Sequence, residues 1–294
     1  MATLRELKGR IGSVASSEKI TGAMKMISSA KMHKAEQALK RLLPFRRRIE
    51  TVIGNLLSAD AQFSSPLLEA RDVNRVAIVT FGSDDGLCGA YNVNIFKQLV
   101  AQISEYRQTY GAEVLIEIYP VGSKIAKSVR KIASNKIRVI ADCGVDSKSS
   151  GEAVKKFVSL LQDRFVAGEI DKVDFLYMNF KSVSRQVIKL EQLLPVVQES
   201  FVETGVAVKT RPYIFEPDKS RIFTSVLPLF LLSVMQEVFT ENRASEQAAR
   251  VMAMQSANDN AKTLLEQLQL EYNKLRQQSI TNELLDIVGG QIKN

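Results

Sequence analysis

A glycine-rich segment, GSDDGLCGA at residues 82–90, contains the residue types that come closest to a chemical site. It follows an apolar run at residues 75–81, and a glycine turn between a strand and a helix can bind phosphate at the helix N terminus. The spacing fits neither GxGxxG nor GxxxxGK[ST], and the adjacent carboxylates of Asp84 and Asp85 would repel a phosphate. The segment is therefore predicted to be a tight turn and helix cap, with a nucleotide site as the less favoured alternative.

The cysteine and histidine content limits the remaining chemistry. Cys88 and Cys143 have neither the CxxC spacing of a metal site nor the density of a disulfide framework, so both are expected to be reduced thiols. His33 is the single histidine and has no partner for acid–base or metal chemistry. Cys88 has no histidine base near it in sequence, and no GxSxG motif occurs. The sequence predicts no catalytic, cofactor-binding or metal-binding residue.

The net charge of +8 is concentrated at one end of the chain. Residues 1–58 contain twelve Lys and Arg against four Glu, whereas residues 219–294 are neutral overall. A basic segment of this kind needs an anionic partner, which could be nucleic acid, a membrane surface or an acidic protein surface. No run of about 18 apolar residues occurs, so neither a membrane-spanning helix nor a secretory signal at residues 1–7 is expected.

Both ends of the chain show the apolar spacing of three and four residues that is typical of a coiled-coil seam. In the first segment the seam residues are Leu4, Leu7, Ile11, Val14, Ala38, Leu42, Phe45, Ile49, Val52 and Leu56. In the last segment they are Leu231, Val234, Val238, Ser245, Ala248, Met252, Ala261, Leu264, Leu268, Leu275, Ile280, Leu284 and Ile287. Pro44 is expected to kink the first helix or to interrupt its hydrogen bonding.

The two helices are predicted to pair. Residues 229–288 contain no proline and would form a helix about 90 Å long, which this small protein could not wrap. A compact middle domain would let the helix of the first segment run antiparallel to it, and the end of the longer helix would then project alone. Apolar residues at 20–32 lie on more than one side of the first helix, so that part of it should be enclosed.

Between the helices, apolar runs rich in β-branched residues alternate with helical patterns. Strands are predicted at 75–81, 114–119, 136–140, 173–181 and 186–195, and helices from about 90 to 109, at 124–134 and at 152–166. The alternation favours a Rossmann-like open α/β domain with a largely parallel sheet, whose last two strands form a hairpin. The predicted fold is therefore α/β with long helical extensions, divided into 1–58, 72–200 and 219–290.

Several blocks of the sequence resemble the gamma subunits of F-type ATP synthases. They are KITGAMKM at 19–26 with SAKM at 29–32, SDDGLCGAYN at 83–92, ASEQAARVMAM at 244–254, LEYNKLRQQSITNEL at 270–284, and IVGG at 287–290. The blocks lie in the family's order and cover both ends and the middle of the chain. The sequence departs from the family at Asp85, where an arginine is usual, and at Ala90, where a glycine is usual.

The resemblance implies a non-catalytic rotor shaft in a proton-translocating ATP synthase, coupling c-ring rotation to the conformational cycle of the catalytic beta subunits. The implied partners are a ring of three alpha and three beta subunits, the epsilon subunit and the c-ring, with one copy of the shaft per complex. No cofactor, no nucleic acid and no direct insertion into the membrane are expected. The implied location is peripheral, at the cytoplasmic face of a bacterial inner membrane.

The resemblance also implies which residues contact partners. The family's beta subunits present acidic loops around the shaft, and these loops would be the anionic partner of the basic segment. The expected contacts are Lys19, Met24, Lys25, Lys31 and Lys34, then Arg250, Arg276 and Gln277, and at an apolar tip Ile280, Leu284, Leu285 and Ile287. The alternative for each lysine and arginine is a solvated helix face, and for Met24 and Met252 it is ordinary coiled-coil core.

Two other classes of protein stay open on the residues alone. A coiled-coil protein could bind nucleic acid through its basic first helix, although no basic region followed by a simple zipper lies on one helix. A Rossmann-type nucleotide-binding enzyme is less favoured because the glycine fingerprint is missing.

Overall fold

A computed structural model describes residues 3–57, 65–197, 201, 216 and 218–291, with side chains described up to Leu285. The first long helix, α1, spans Leu4–Leu57, and the last helix of the chain spans Lys219–Gln291. Residues 198–200, which the predicted central domain includes, lie outside the described residues.

Both long helices pass through a proline. The last helix contains 73 residues, which at 1.5 Å per residue makes it about 110 Å long. It begins at Lys219, the first residue of the predicted segment 219–290, and continues through Pro228, just as α1 continues through Pro44. Both prolines are exposed, so water can hydrate the carbonyl group that each leaves without an amide donor. The expected interruption at Pro44 does not end the helix.

Cross-contacts show that the two helices run antiparallel, as predicted. Near the end of α1, Arg46 Nη1 lies 2.9 Å from Glu237 Oε2. Near its start, the carbonyl oxygen of Glu18 accepts a hydrogen bond of 2.7 Å from Asn258 Nδ2. Later residues of α1 therefore contact earlier residues of the last helix.

The seam of α1 differs from the predicted one. Ala38, Phe45 and Val52 are exposed, and the buried apolar residues in this half of the helix are Met32, Ala35, Leu39, Ile49, Ile53 and Leu56. The last three of these also belong to the core beneath the sheet, so sheet contact selects which apolar stripe of α1 is buried. Spacing alone could not distinguish two adjacent stripes.

The seam of the last helix differs from the predicted one only in part. Met252 and Leu264 are exposed and Val251 and Met254 are buried, whereas other predicted seam residues are buried as expected, namely Leu231, Val234, Val238, Ser245, Ala248 and Leu268. Beyond Leu268 no described side chain of this helix is buried, so its end projects past α1 as predicted.

Five strands form one sheet in the described part of the chain. The strands are β1 (Arg75–Phe81), β2 (Leu115–Val121), β3 (Ile137–Val139), β4 (Lys172–Phe180) and β5 (Gln186–Leu194). The shorter helices are α2 (Tyr91–Tyr110), α3 (Ser123–Val129) and α4 (Glu152–Val166), so the helix spanning Lys219–Gln291 is α5. The order is β3-β2-β1-β4-β5, with the first four strands parallel and β5 antiparallel to β4. This mixed, largely parallel sheet confirms the predicted fold, with boundaries that differ by a few residues.

The two faces of the sheet are covered by different elements. On one face, β1 and β2 pack against α2 and α3 through residues such as Ile78 and Ile118. The other face packs against α4, the end of α1 and the first part of α5. There the ring of Phe81 meets Phe239 of α5 edge-to-face, with centroids 4.9 Å apart. The base of the helical pair and the sheet therefore share one core.

One segment of α5 has the length and composition of a membrane-spanning helix. Its mean hydropathy is 1.8 over 18 residues, and 56% of that window is buried inside the protein. A helix that is covered by a sheet on one side and by a second helix on another has the same apolar composition.

Candidate partner-binding surface

Four lysines of α1 carry positive charge that the described part of the chain does not neutralise. Lys19, Lys31 and Lys34 are exposed and Lys25 is partly buried. In the described ranges, none of the four forms an ion pair within 4 Å. The nearby carboxylate of Glu36 is bound instead by Lys40, at 2.9 Å, and this contact lowers the pKa of Glu36. The lysines are therefore available to an anionic partner.

Exposed apolar residues lie among these lysines. Ile20, Met26 and Ile27 are exposed, and Met24 is partly buried. The sequence pattern requires this part of α1 to be enclosed, and α5 covers only one side of it. A mixed apolar and basic surface of this kind is typical of a protein–protein contact.

Lys31 and Lys34 also line a cleft of about 320 Å³ at the junction of the helical pair and the α/β domain. The opposite wall includes Lys148, whose ammonium group lies 3.3 Å from the exposed carboxylate of Asp85. Arg243 of α5 completes this wall and donates to the carbonyl oxygens of residues 147 and 149. Burial lowers the pKa of Arg243, and no ion pair to it occurs in the described part of the chain.

The glycine-rich loop after β1 is a tight turn that ties neighbouring segments together. The carboxylate of Asp84 accepts hydrogen bonds from the backbone N–H of Ser123 at 2.9 Å and from the hydroxyl of Ser147 at 2.6 Å. Asp84 therefore caps α3, whereas the residue that precedes α2, Ala90, makes no side-chain cap. The amide of Asn92 reaches back to the loop and accepts from the N–H of Ser83 at 3.0 Å.

The loop is also fixed to α5. Asn242 Nδ2 donates to the carbonyl oxygen of Gly82 at 3.0 Å, and the hydroxyl of Tyr91 donates to Asn242 Oδ1 at 2.5 Å. A side chain at Gly82 would place its Cβ 2.5 Å from Ile125, so only glycine fits here without movement. These contacts all point into the protein. The loop therefore connects the sheet to α5.

Arg250 is placed differently from the other expected contact residues. Arg250 is only 6% exposed, and its guanidinium group forms an ion pair with Glu246 at 2.7 Å. It also donates to the carbonyl oxygen of Gly86 at 3.2 Å. Within the chain, Arg250 is therefore engaged by Glu246 and by the loop after β1, and its contact with a partner stays a prediction.

The far end of α5 presents the other expected residues. Arg276 and Gln277 are exposed, as are the apolar side chains of Ile280, Leu284 and Leu285. Ile287 lies within α5, but its side chain is outside the described residues. The projecting end therefore has apolar surface that nothing in the described chain covers.

Sequence reasoning missed the buried carboxyl groups of Glu237 and Glu241 on α5, and it placed Ser245 in the seam between the helices and not against the sheet. Glu237, Glu241 and Ser245 repeat every four residues on the inward side of α5 and are all buried. The hydroxyl of Ser245 donates to the carbonyl oxygen of Met178 at 2.8 Å. The available signal was this polar repeat inside an otherwise apolar stretch, which predicts a helix that packs against hydrogen-bonding groups.

An antiparallel helical pair, fused at its base to an open α/β domain and bare at its tip, defines a shaft-type protein. The sequence matches the family model described as ATP synthase over residues 3–292, and the chain belongs to the gamma subunit family of F-type ATP synthases. It is 44% identical to the ATP synthase gamma chain of Phocaeicola vulgatus, over 99% of this chain and 100% of the relative. It is 42% identical to that of Bacteroides fragilis, with the same coverage.

Solved structures show the same fold. A chain in the mitochondrial ATP synthase of Euglena gracilis aligns with a TM-score of 0.63 at 20% identity, covering 98% of this chain and 93% of that one. A chain in the central stalk and c-ring assembly of Tetrahymena thermophila aligns with a TM-score of 0.56 at 21% identity, covering 81% and 99%. The family membership confirms the resemblance and favours it over the nucleic-acid-binding and nucleotide-binding alternatives.

Proposed function

We propose that this chain is the central rotor shaft of a proton-translocating F-type ATP synthase. The observation that carries the proposal is α5, one continuous helix that shares a core with the sheet at its base and is bare at its tip. Such a helix can transmit a turning force applied at the base to a distant end. The names of the relatives, all ATP synthase gamma chains, support the same role.

The shaft is non-catalytic in this proposal, and its partners carry the chemistry. One copy lies inside a ring of three alpha and three beta subunits, while the base contacts the c-ring and the epsilon subunit. The complex is attached peripherally at the cytoplasmic face of a bacterial inner membrane, which is supported by the bacterial origin of the similar gamma chains.

The proposed mechanism depends on the difference in charge between the two helices of the shaft. A rotor changes the state of a partner only if its contacts differ between orientations, because a contact that is equal for all states shifts no population. Here the excess positive charge lies on α1, whereas α5 contains seven basic and eight acidic side chains. Each orientation therefore presents Lys19, Lys25, Lys31 and Lys34 to a different beta subunit, while Arg276, Gln277 and the apolar tip contact the inside of the ring.

The proposal is tested by assembling the chain with alpha, beta and epsilon subunits and the membrane sector, then measuring protons pumped per ATP hydrolysed. Met24→Lys is expected to lower this ratio, because it puts a charge into the apolar part of the shaft that faces the ring. Leu160→Lys is the matched control, since Leu160 is exposed on α4 of the α/β domain.

The possible outcomes distinguish the proposed rotor function from the proposed contact at Met24. A chain that does not assemble with alpha and beta subunits would contradict the proposed function. Full coupling in the Met24→Lys complex would contradict only the contact at Met24.

A further inference from the structure

One carboxyl group is buried between the shaft and the sheet without a cation beside it. Glu241 of α5 is 7% exposed and faces β4 and β5. Its Oε2 accepts a hydrogen bond of 2.5 Å from the side-chain amide of Asn179, near the end of β4. Glu241 makes no ion pair within 4 Å in the described part of the chain.

The nearby cations are held by other carboxylates. Arg46 of α1 pairs with Glu237, one turn before Glu241, at 2.9 Å. Lys189 of β5 pairs with Glu191 at 2.7 Å. Glu241 therefore faces two further carboxylates, while each neighbouring cation already has a partner.

The amide opposite Glu241 has an unused acceptor. Asn179 is buried, and its Oδ1 has no hydrogen-bond partner among the described residues. A buried polar atom without a partner is costly, and a carboxylate cannot help because it has no proton to donate. A neutral carboxyl group has one O–H, so it can accept from the amide nitrogen and donate to the amide oxygen of the same side chain.

We propose that Glu241 is protonated in the folded protein at neutral pH and forms a neutral acid–amide pair with Asn179, which links the shaft to the sheet. The link goes beyond the proposed rotor function, since it concerns how the shaft and the α/β domain are held as one body. It joins α5 to β4 without burying an unpaired charge.

The electrostatic surroundings agree with the geometry. Burial is the largest influence and raises the pKa of Glu241 above its ordinary 4.5, and the carboxylates of Glu237 and Glu191 raise it further. The contacts with Asn179 and Lys189 act in the opposite direction without reversing the shift. Tyr177 of β4 stays neutral, because its pKa is also raised by burial and by the same carboxylates.

The sign of the pH dependence follows. A carboxyl group whose pKa is raised in the fold binds a proton more tightly in the native state, so it favours folding below its unfolded pKa. That contribution is lost as the pH rises from 4.5 through the raised value in the fold. The wild-type protein should therefore lose stability through this group as the pH rises above 4.5.

The test compares two glutamines in the full-length chain. Glu241→Gln keeps both hydrogen bonds to Asn179 and cannot ionise, so its thermal midpoint should equal that of the wild type near pH 4.5 and should exceed it as the pH rises to neutral and above. Glu237→Gln is the matched control, because Glu237 has the same 7% exposure one turn away but is paired with Arg46. That change should lower the midpoint at neutral pH. Equal losses in the two variants would overturn the proposal.

The protonation state of Glu241 can also be measured by NMR, without relying on the stability of the variants. With ¹³C-labelled glutamate, the carboxyl resonance that disappears in Glu241→Gln should have the chemical shift of a neutral acid at neutral pH. A shift typical of a carboxylate at neutral pH, with titration near the ordinary value, would overturn the proposal even if both variants fold normally.

Discussion

Among single residues, the clearest structural role belongs to a buried ion pair on α5. Arg250 and Glu246 are each less than a tenth exposed, and Arg250 also binds the carbonyl oxygens of the loop after β1. Burial raises the pKa of Glu246, and the contact with Arg250 opposes that shift. The contact with Arg250 therefore offsets part of the cost of burying this carboxyl group.

Removing one member of this pair should be costly. Arg250→Gln leaves Glu246 buried without a cation, and such a loss typically costs about 3–5 kcal/mol. We expect a large fall in the free energy of unfolding measured by urea denaturation. The control, Arg276→Gln, changes an exposed arginine of the same helix and should cost less than about 0.5 kcal/mol. If Arg250→Gln costs no more than this control, the pair has no structural role.

The role of Arg250 could not be read from the sequence. The family block predicts that this position matters, and an arginine on a long helix is most often a surface residue. Its burial depends on the loop at Gly86, which is 164 residues away in the chain. By contrast, the exposure of Lys19, Lys31 and Lys34 agrees with the pattern, because nothing elsewhere in the described chain folds over them.

At the scale of elements, the sequence predicted which segments are helices and strands better than which side of each is buried. Helix α4 has the predicted bounds, Glu152–Val166, and buries its apolar residues in the core beneath the sheet, where it also contacts α5. The end of α1 contacts both α5 and the core beneath the sheet, so its buried stripe is set by two partners. Heptad spacing describes only a contact with one partner helix.

Adjacent residues of α1 can test the observed seam. Ile53 is 0% exposed and lies in the core, whereas Val52, which spacing placed in the seam, is 41% exposed. Ile53→Ala should cost about 2–5 kcal/mol of unfolding free energy, because it leaves a cavity. Val52→Ala should cost less than about 0.5 kcal/mol. Denaturant unfolding measures both, and a larger loss for Val52→Ala would favour the seam that spacing predicted.

On the scale of the whole molecule, the structure divides into a fused base, a basic middle and an apolar tip. Apolar periodicity and strand–helix alternation were enough to predict a paired shaft on an open sheet. The way in which the helical pair is attached to the sheet could not be predicted. It depends on contacts between residues that are far apart in the sequence, such as Phe81 with Phe239 and Ser245 with Met178. Lys31 and Lys34 lie where the shaft leaves this base, and Lys19 and Lys25 lie farther along α1.

The position of that charge, and not its total, should govern assembly with the ring. Changing Lys19, Lys25, Lys31 and Lys34 to Gln should slow association with the alpha–beta ring by about tenfold or more at low ionic strength, because steering by charge is lost. A control variant changes Lys97, Lys155, Lys156 and Lys181, all exposed on the α/β domain, and has the same net charge.

Stopped-flow association rates over a salt series would distinguish the two variants. The difference between them should close near about 1 M salt, where charges act over only about 3 Å. Equal slowing of both variants would mean that net charge alone steers assembly, and the lysines of α1 would then lose their assigned contact while the rotor role stands. A rate that depends on the α1 variant alone would place the acidic partner against this side of the shaft.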